Sequence, residues 1–264
     1  MKGDFNMEWA ELLHILIITC PLACLAGVID AMVGGGGLIT IPAYMLAGLP
    51  PHTAIATNKC SSTLGTLVAV WEFVKSKNVH WISTIAACVG ALLGSPLGAM
   101  LALNVDQKYL QWFIVISVPL VAIAIFCKKD FGESSKVQNL SSLYVILISA
   151  LIGFAIGIYD GFFGPGTGTF LMLGFTVFTH FDLLTATGNA KVVNLASNVG
   201  ALVTFAISGA VLWQVGLPTA AFCMIGNLIG ARLAVKKGTK AIRPMLFVVL
   251  TILTVKLIYD LLVG

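Results

Sequence analysis

The sequence predicts an all-α integral membrane protein built from two repeats of four to five transmembrane segments in inverted topology, with glycine-broken or short segments meeting near mid-membrane. Three observations carry that reading. Hydrophobic residues make up 58% of the chain and charged residues only 10%, where an ordinary soluble domain carries about 25% charged residues. The sequence answers itself at a period near 130 residues. Loops that correspond between the two halves carry opposite charge signatures, as opposite membrane faces require.

Composition bounds the rest. A hydrocarbon layer about 30 Å thick takes about 20 apolar residues per helix, so 264 residues hold roughly eight to ten spans and little extramembrane mass. The start, 1–11, sets Lys2 against Asp4, Glu8 and Glu11. A cleavable leader wants a positive start, so this segment reads as the approach to a first helix. The six cysteines lie almost entirely in apolar stretches, where a thiol behaves as a small hydrophobe, and neither a disulfide framework nor a metal site is expected. A net charge of +4, placed in loops, speaks for membrane topology and against nucleic acid. No cofactor is called for.

The repeat divides the chain into 1–130 and 131–264. Gly27-Val28-Ile29-Asp30 answers Gly157-Ile158-Tyr159-Asp160, and Gly34 and Gly36 answer Gly164 and Gly166, all at an offset of 130. The offset then becomes 132: Thr53, Ala54 and Lys59 answer Thr185, Ala186 and Lys191, Trp81 answers Trp213, and Gly94-x-x-x-Gly98 answers Gly226-x-x-x-Gly230. Each half shows five apolar segments, at about 10–31, 36–50, 54–74, 81–103 and 108–127, then 140–163, 165–180, 184–208, 211–235 and 241–262. If all ten cross, ten of the thirteen loop or helix-end cations fall on one side, which the positive-inside rule prefers, with both termini outside. If the short second segments re-enter instead, the split is about seven to six. Five crossings per half is an odd number, so the halves would be inverted, as in many secondary transporters. The basic loop at Lys75 and Lys77 answers the uncharged turn 208–213, and the near-neutral turn at Asp106 answers basic 236–243.

Of 26 charged residues, 22 sit in loops or close enough to helix ends to snorkel. The other four are Asp30, Lys59, Asp160 and Lys191, two mirrored pairs. An ionised group in hydrocarbon costs about 2.5–3.5 kcal/mol on translocon scales, so these four mean mutual pairing, water access or function; two purely structural Asp–Lys bridges are the plain alternative. Both aspartates precede glycine-rich breaks, Gly34-Gly35-Gly36-Gly37 and Gly164-Pro165-Gly166-Thr167-Gly168. Irregular backbone at membrane depth survives where it is packed in protein or lines a wet cavity, and broken segments at corresponding positions point to a transport site. The missing Lys-Ser/Thr ending excludes a nucleotide loop. Tight helix packing is the better account of Gly94-x-x-x-Gly98 and Gly226-x-x-x-Gly230. Lys59, Ser62 and Thr66 share one helix face, and Lys191, Asn194 and Asn198 the matching one. With Asn58 and Asn189 nearby, the two faces could meet at a pseudo-twofold axis and hold an oxyanion, or could serve only as polar glue between helices.

The glycine run after Asp30, Pro42 after Leu38-Ile39-Thr40-Ile41, the stretch from Ala54 to Lys59, and Asp160-Gly161-Phe162-Phe163-Gly164-Pro165-Gly166-Thr167-Gly168 together resemble the TauE/SafE family of sulfite and organosulfonate exporters or permeases. The resemblance runs from about residue 12 to the C-terminus, and the second glycine motif with Lys191 to Asn198 resembles a bacterial inner-membrane branch. It implies proton- or ion-coupled movement of small sulfur-containing anions across a cell membrane. The expected partners are a small anion and lipid, with homo-oligomer formation left open. The residues themselves favour a secondary transporter in which Lys59, Lys191, Asn58, Ser62, Asn189, Asn194, Asn198 and the amides of Gly34, Gly36, Gly164 and Gly166 bind the anion. Asp30 or Asp160 would carry the coupling proton. A passive anion channel needs the same lining. No His-Glu-x-x-His or Gly-x-Ser-x-Gly pattern supports an intramembrane enzyme.

Overall fold

The computed structural model describes residues 9–104, 140–242 and 244–245; eight α-helices run through to Lys237, and 239–242 and 244–245 are helical as well. The first half contributes α1 (Trp9–Val33), α2 (Gly37–Leu46), α3 (Pro51–Lys75) and α4 (Trp81–Asn104); the second contributes α5 (Ser142–Phe162), α6 (Thr167–Phe178), α7 (Leu183–Ile207) and α8 (Trp213–Lys237). Five of them, α1, α4, α5, α7 and α8, are long and apolar enough to cross a membrane, which makes this a multi-pass membrane protein. The expected fifth segments, 108–127 and 241–262, lie outside the described residues almost entirely.

Local chemistry sets the helix starts. Pro50 and Pro51 open α3, where the ring's fixed φ suits the first turn. Asp182 caps α7 by accepting hydrogen bonds from the Leu184 and Thr185 amides at 3.1 and 3.0 Å. The short helices α2 and α6, 10 and 12 residues, come out shorter than the apolar stretches 36–50 and 165–180 that contain them. Glycine turns consume the ends of those stretches: Gly166 takes φ 81° as the cap of α6, and Gly48 follows α2 at φ 98°.

Small residues decide which helices touch. A Cβ on Gly98 would lie 1.9 Å from the Ile158 carbonyl oxygen, and one on Gly226 would lie 2.0 Å from that of Cys24. Gly94 and Gly98 therefore seat α5 against α4, while Gly226 and Gly230 seat α1 against α8, the close backbone approach that packs helices where no hydrophobic effect drives them together. Large apolar side chains such as Ile17, Leu67, Val89, Leu147 and Ile207 remain exposed on the outside, the surface that lipid covers.

These contacts also fix helix directions. Cys24 meets Gly226 and Val28 meets Gly230, so α1 and α8 run the same way. Cys60 meets Gly216 and Glu72 pairs with Arg232, so α3 also runs with α8. Equally, Gly90 to Gly98 step along Ala150 to Phe162, and Thr84 and Ser95 meet Asn189 and Gly200, so α4, α5 and α7 run together. Between the two sets, Lys59 meets Asn198 while Phe73 meets Gly188, which makes α3 and α7 antiparallel. Because α1 and α3 point the same way, the break and α2 carry the chain back between them.

Candidate functional site

The two glycine breaks meet directly. Gly34, at φ 84°, lies so close to Gly168 that a Cβ there would come within 2.2 Å of its backbone. The carbonyl of Val33, freed where α1 ends, accepts a 2.6 Å hydrogen bond from Thr169 Oγ1 of the other half. The first interruption is thus satisfied by the second, whose own carbonyls accept from Tyr159 and Thr167 of the same half, as backbone at membrane depth must be.

Around this contact the four buried charges exchange partners. Lys59 of α3 pairs with Asp160 of α5 at 2.7 Å, and Lys191 of α7 pairs with Asp30 of α1 at 2.9 Å. Each lysine is neutralised by the aspartate of the opposite half. The pairs differ in their surroundings. Asp160 is 2% exposed, and its second oxygen accepts from Ser197 Oγ at 2.6 Å; Lys59 Nζ also donates to Asn198 Oδ1 at 3.0 Å. Asp30 is 14% exposed, and among the described residues its other oxygen meets only the Gly36 amide, at 3.3 Å.

A small polar cavity lies between the pairs. Of the residues singled out in the sequence, Asp30, Asp160, Lys59, Asn58, Ser62, Asn194, Asn198, Gly34 and Gly164 line it. Lys191 does not reach the wall: it sits behind Asp30, 1% exposed. Gly36 touches Asp30, and Gly166 caps α6, but neither faces the cavity. Thr66 is buried with an unpartnered hydroxyl among the described residues.

Asn189 lies elsewhere, a correction to its expected place near the anion-binding faces. Its Oδ1 accepts from the His80 amide at 2.8 Å and from Thr84 Oγ1 at 2.9 Å, at the start of α4. At an offset of 132 its counterpart is Thr57, not Asn58. One residue turns a side chain about 100° around a helix, which takes Asn189 off the cavity face. Thr57 makes the mirrored contact, accepting from the Leu212 amide at the start of α8 at 3.1 Å. Conversely, Gly37, Thr167 and Gly168 also line the cavity. They belong to the same glycine breaks, and only the breaks as a whole, not these positions, stood out in the sequence.

Helices fit to cross a membrane, broken in pairs around a buried, charge-balanced polar cavity, define a transporter-type membrane protein. The comparisons agree: the chain matches the Sulfite exporter TauE/SafE family over residues 19–257 and belongs to it. It is 37% identical over 250 residues to "Probable membrane transporter protein ORF9" of a Sinorhizobium species, 94% of each chain. It is 37% identical over 239 residues to "Probable membrane transporter protein YfcA" of Escherichia coli K12, 90% of this chain and 88% of that one. A "Probable membrane transporter protein" of Haemophilus influenzae is 34% identical over 249 residues, 94% and 96% of the two chains. No solved structure matches.

Proposed function

We propose that this chain is a secondary transporter that moves a small anion, a sulfur oxyanion such as sulfite or an organosulfonate, through the cavity between two inverted repeats, coupled to a proton or another ion. The observation that carries the reading is the exchange of Lys–Asp partners between halves at the paired breaks. Opposite running directions of α1 and α5, α3 and α7, and α4 and α8 support inverted repeats. The family description supplies the sulfite class.

Coupling follows from charge balance. An anion that draws on a lysine leaves that lysine's aspartate without its partner, and an uncompensated buried charge costs about 3–5 kcal/mol. Protonating the aspartate removes that cost. Anion and proton therefore stabilise each other's binding by about 10²–10³-fold, since 1.4 kcal/mol is a factor of ten. Asp30, the more exposed of the two, is the proton acceptor easier to reach in this conformation.

The test is uptake and efflux of radiolabelled sulfite or taurine in proteoliposomes under imposed pH gradients. We expect gradient-driven accumulation by the parent protein and its loss in Lys59→Ala/Lys191→Ala. Full activity in that double variant sinks the assignment. Conductance without accumulation against a gradient identifies a passive channel instead.

A further inference from the structure

In this conformation both ammonium groups at the site are held by carboxylates, so the donors that meet an entering solute first are neutral. We infer that Asn58 of α3 and Asn194 of α7 are the two side chains that grip the transported solute through their amide NH2 groups, and that this solute is a singly charged oxyanion. The inference rests on the transport reading above and names the donors and the charge class at that same cavity.

The orientation of Asn194 follows from a chain of obligations. Lys59 Nζ can only donate, so the Asn198 atom 3.0 Å from it is the carbonyl oxygen. The Asn198 nitrogen then donates to Asn194 Oδ1 at 3.4 Å. Asn194 is left with its own NH2 unspoken for, in a residue 5% exposed that lines the cavity. Asp160 anchors the relay by holding Lys59 at 2.7 Å.

Asn58 is fixed from its own side. Its Oδ1 accepts from Thr40 Oγ1 at 2.5 Å and from Ser62 Oγ at 3.3 Å. The Thr40 hydroxyl also lies 3.2 Å from the Gly36 carbonyl; the shorter contact carries the proton, and 2.5 Å suits an O–H donor, not an N–H. The Asn58 nitrogen therefore turns away, toward Gly37 on the cavity wall. Asn58 is 4% exposed, and among the described residues neither amide nitrogen has a hydrogen-bond partner.

Two nearly buried NH2 groups, one from each half, thus face one small cavity with their dipoles preset. They suit a ligand with at least two acceptor oxygens, as a sulfonate or hydrogen sulfite has. Net charge then selects within that class. The four ionised groups at the site sum to zero, and protonation of one aspartate, as coupling requires, raises the sum to +1, which balances a singly charged ligand and leaves a dianion in excess. The ligand's desolvation cost grows with the square of its charge, about four times greater for a dianion than for a monoanion. Sequence symmetry alone misses this pair: the counterpart of Asn194 is Ser62, and that of Asn58 is Ala190.

The experiment is 35S-sulfite uptake by full-length protein in proteoliposomes, with unlabelled methanesulfonate and sulfate as competitors. Asn58→Ala and Asn194→Ala, which remove the NH2 groups without adding a charge, are expected to raise KM at least tenfold in protein that keeps a cooperative melting transition; an alanine variant that does not fold is replaced by Asn→Ser, with the same expectation. Thr40→Val should raise KM about 3- to 10-fold with kcat little changed, and Thr40→Ser should restore it. Methanesulfonate should compete at least tenfold better than sulfate. Unchanged KM in both asparagine variants of an active parent overturns the donor assignment and leaves the transport reading standing. Sulfate competing as well as methanesulfonate overturns the charge class. No uptake by the parent overturns both readings.

Discussion

At the scale of single residues, the lysines and aspartates behave as matched sets. Removing one member strands the other: Lys59→Met is expected to cost about 3–5 kcal/mol, seen as a lower melting temperature in detergent, and Lys59→Met/Asp160→Leu to recover most of it. The mirrored Lys191→Met should cost less, because Asp30 is 14% exposed and can regain water, whereas Asp160 is 2% exposed. Equal losses from the two lysine changes would contradict the asymmetry of the pairs. The four charges were legible in the sequence because hydrocarbon tolerates ionised groups only for cause. Their pairing across halves was not, since sequence distance says nothing about which of two symmetric lysines an aspartate faces. Asn189, expected near the anion-binding faces, lies instead at the start of α4, because one residue of register put it on another helix face.

At the scale of helices, the existence and order of the eight described elements were legible from apolar runs and glycine punctuation, with bounds off by a few residues. What could not be read was the partner of each small-residue seam. A Gly-x-x-x-Gly spacing announces close approach, but only the fold shows that Gly98 meets Ile158 and Gly226 meets Cys24. Gly98→Leu and Gly226→Leu should each abolish folded protein or lower stability by more than about 3 kcal/mol, because carbonyl oxygens stand 1.9 and 2.0 Å from the new Cβ and cannot yield. Leu97→Ala, at a site 48% exposed on the outer surface, should change stability by under about 1 kcal/mol. Monodisperse yield and thermal melting of the purified proteins check all three.

For the whole molecule, helix directions divide into α1, α3 and α8 against α4, α5 and α7. The proposed inverted repeats would place the turn after α3 and the turn after α7 on opposite membrane faces. In a cysteine-free background, Lys75→Cys should be labelled by an impermeant thiol reagent from the cytoplasmic side and Ser208→Cys from the other; both residues are exposed. Labelling of both from one face would remove the inverted arrangement and with it the charge argument that oriented the chain.

The crossed pairing has a consequence for how such a chain reaches its final state. Synthesis delivers Asp30 and Lys59 to the membrane before α5 and α7 exist, and their ion-pair partners among the described residues, Lys191 and Asp160, arrive more than a hundred residues later. Until then the early half carries two charges that hydrocarbon penalises, held in waiting by water, by the insertion machinery or by neutralisation. These pairs can form only when the second half docks, so the same contacts that shape the cavity also report that α5 and α7 have arrived.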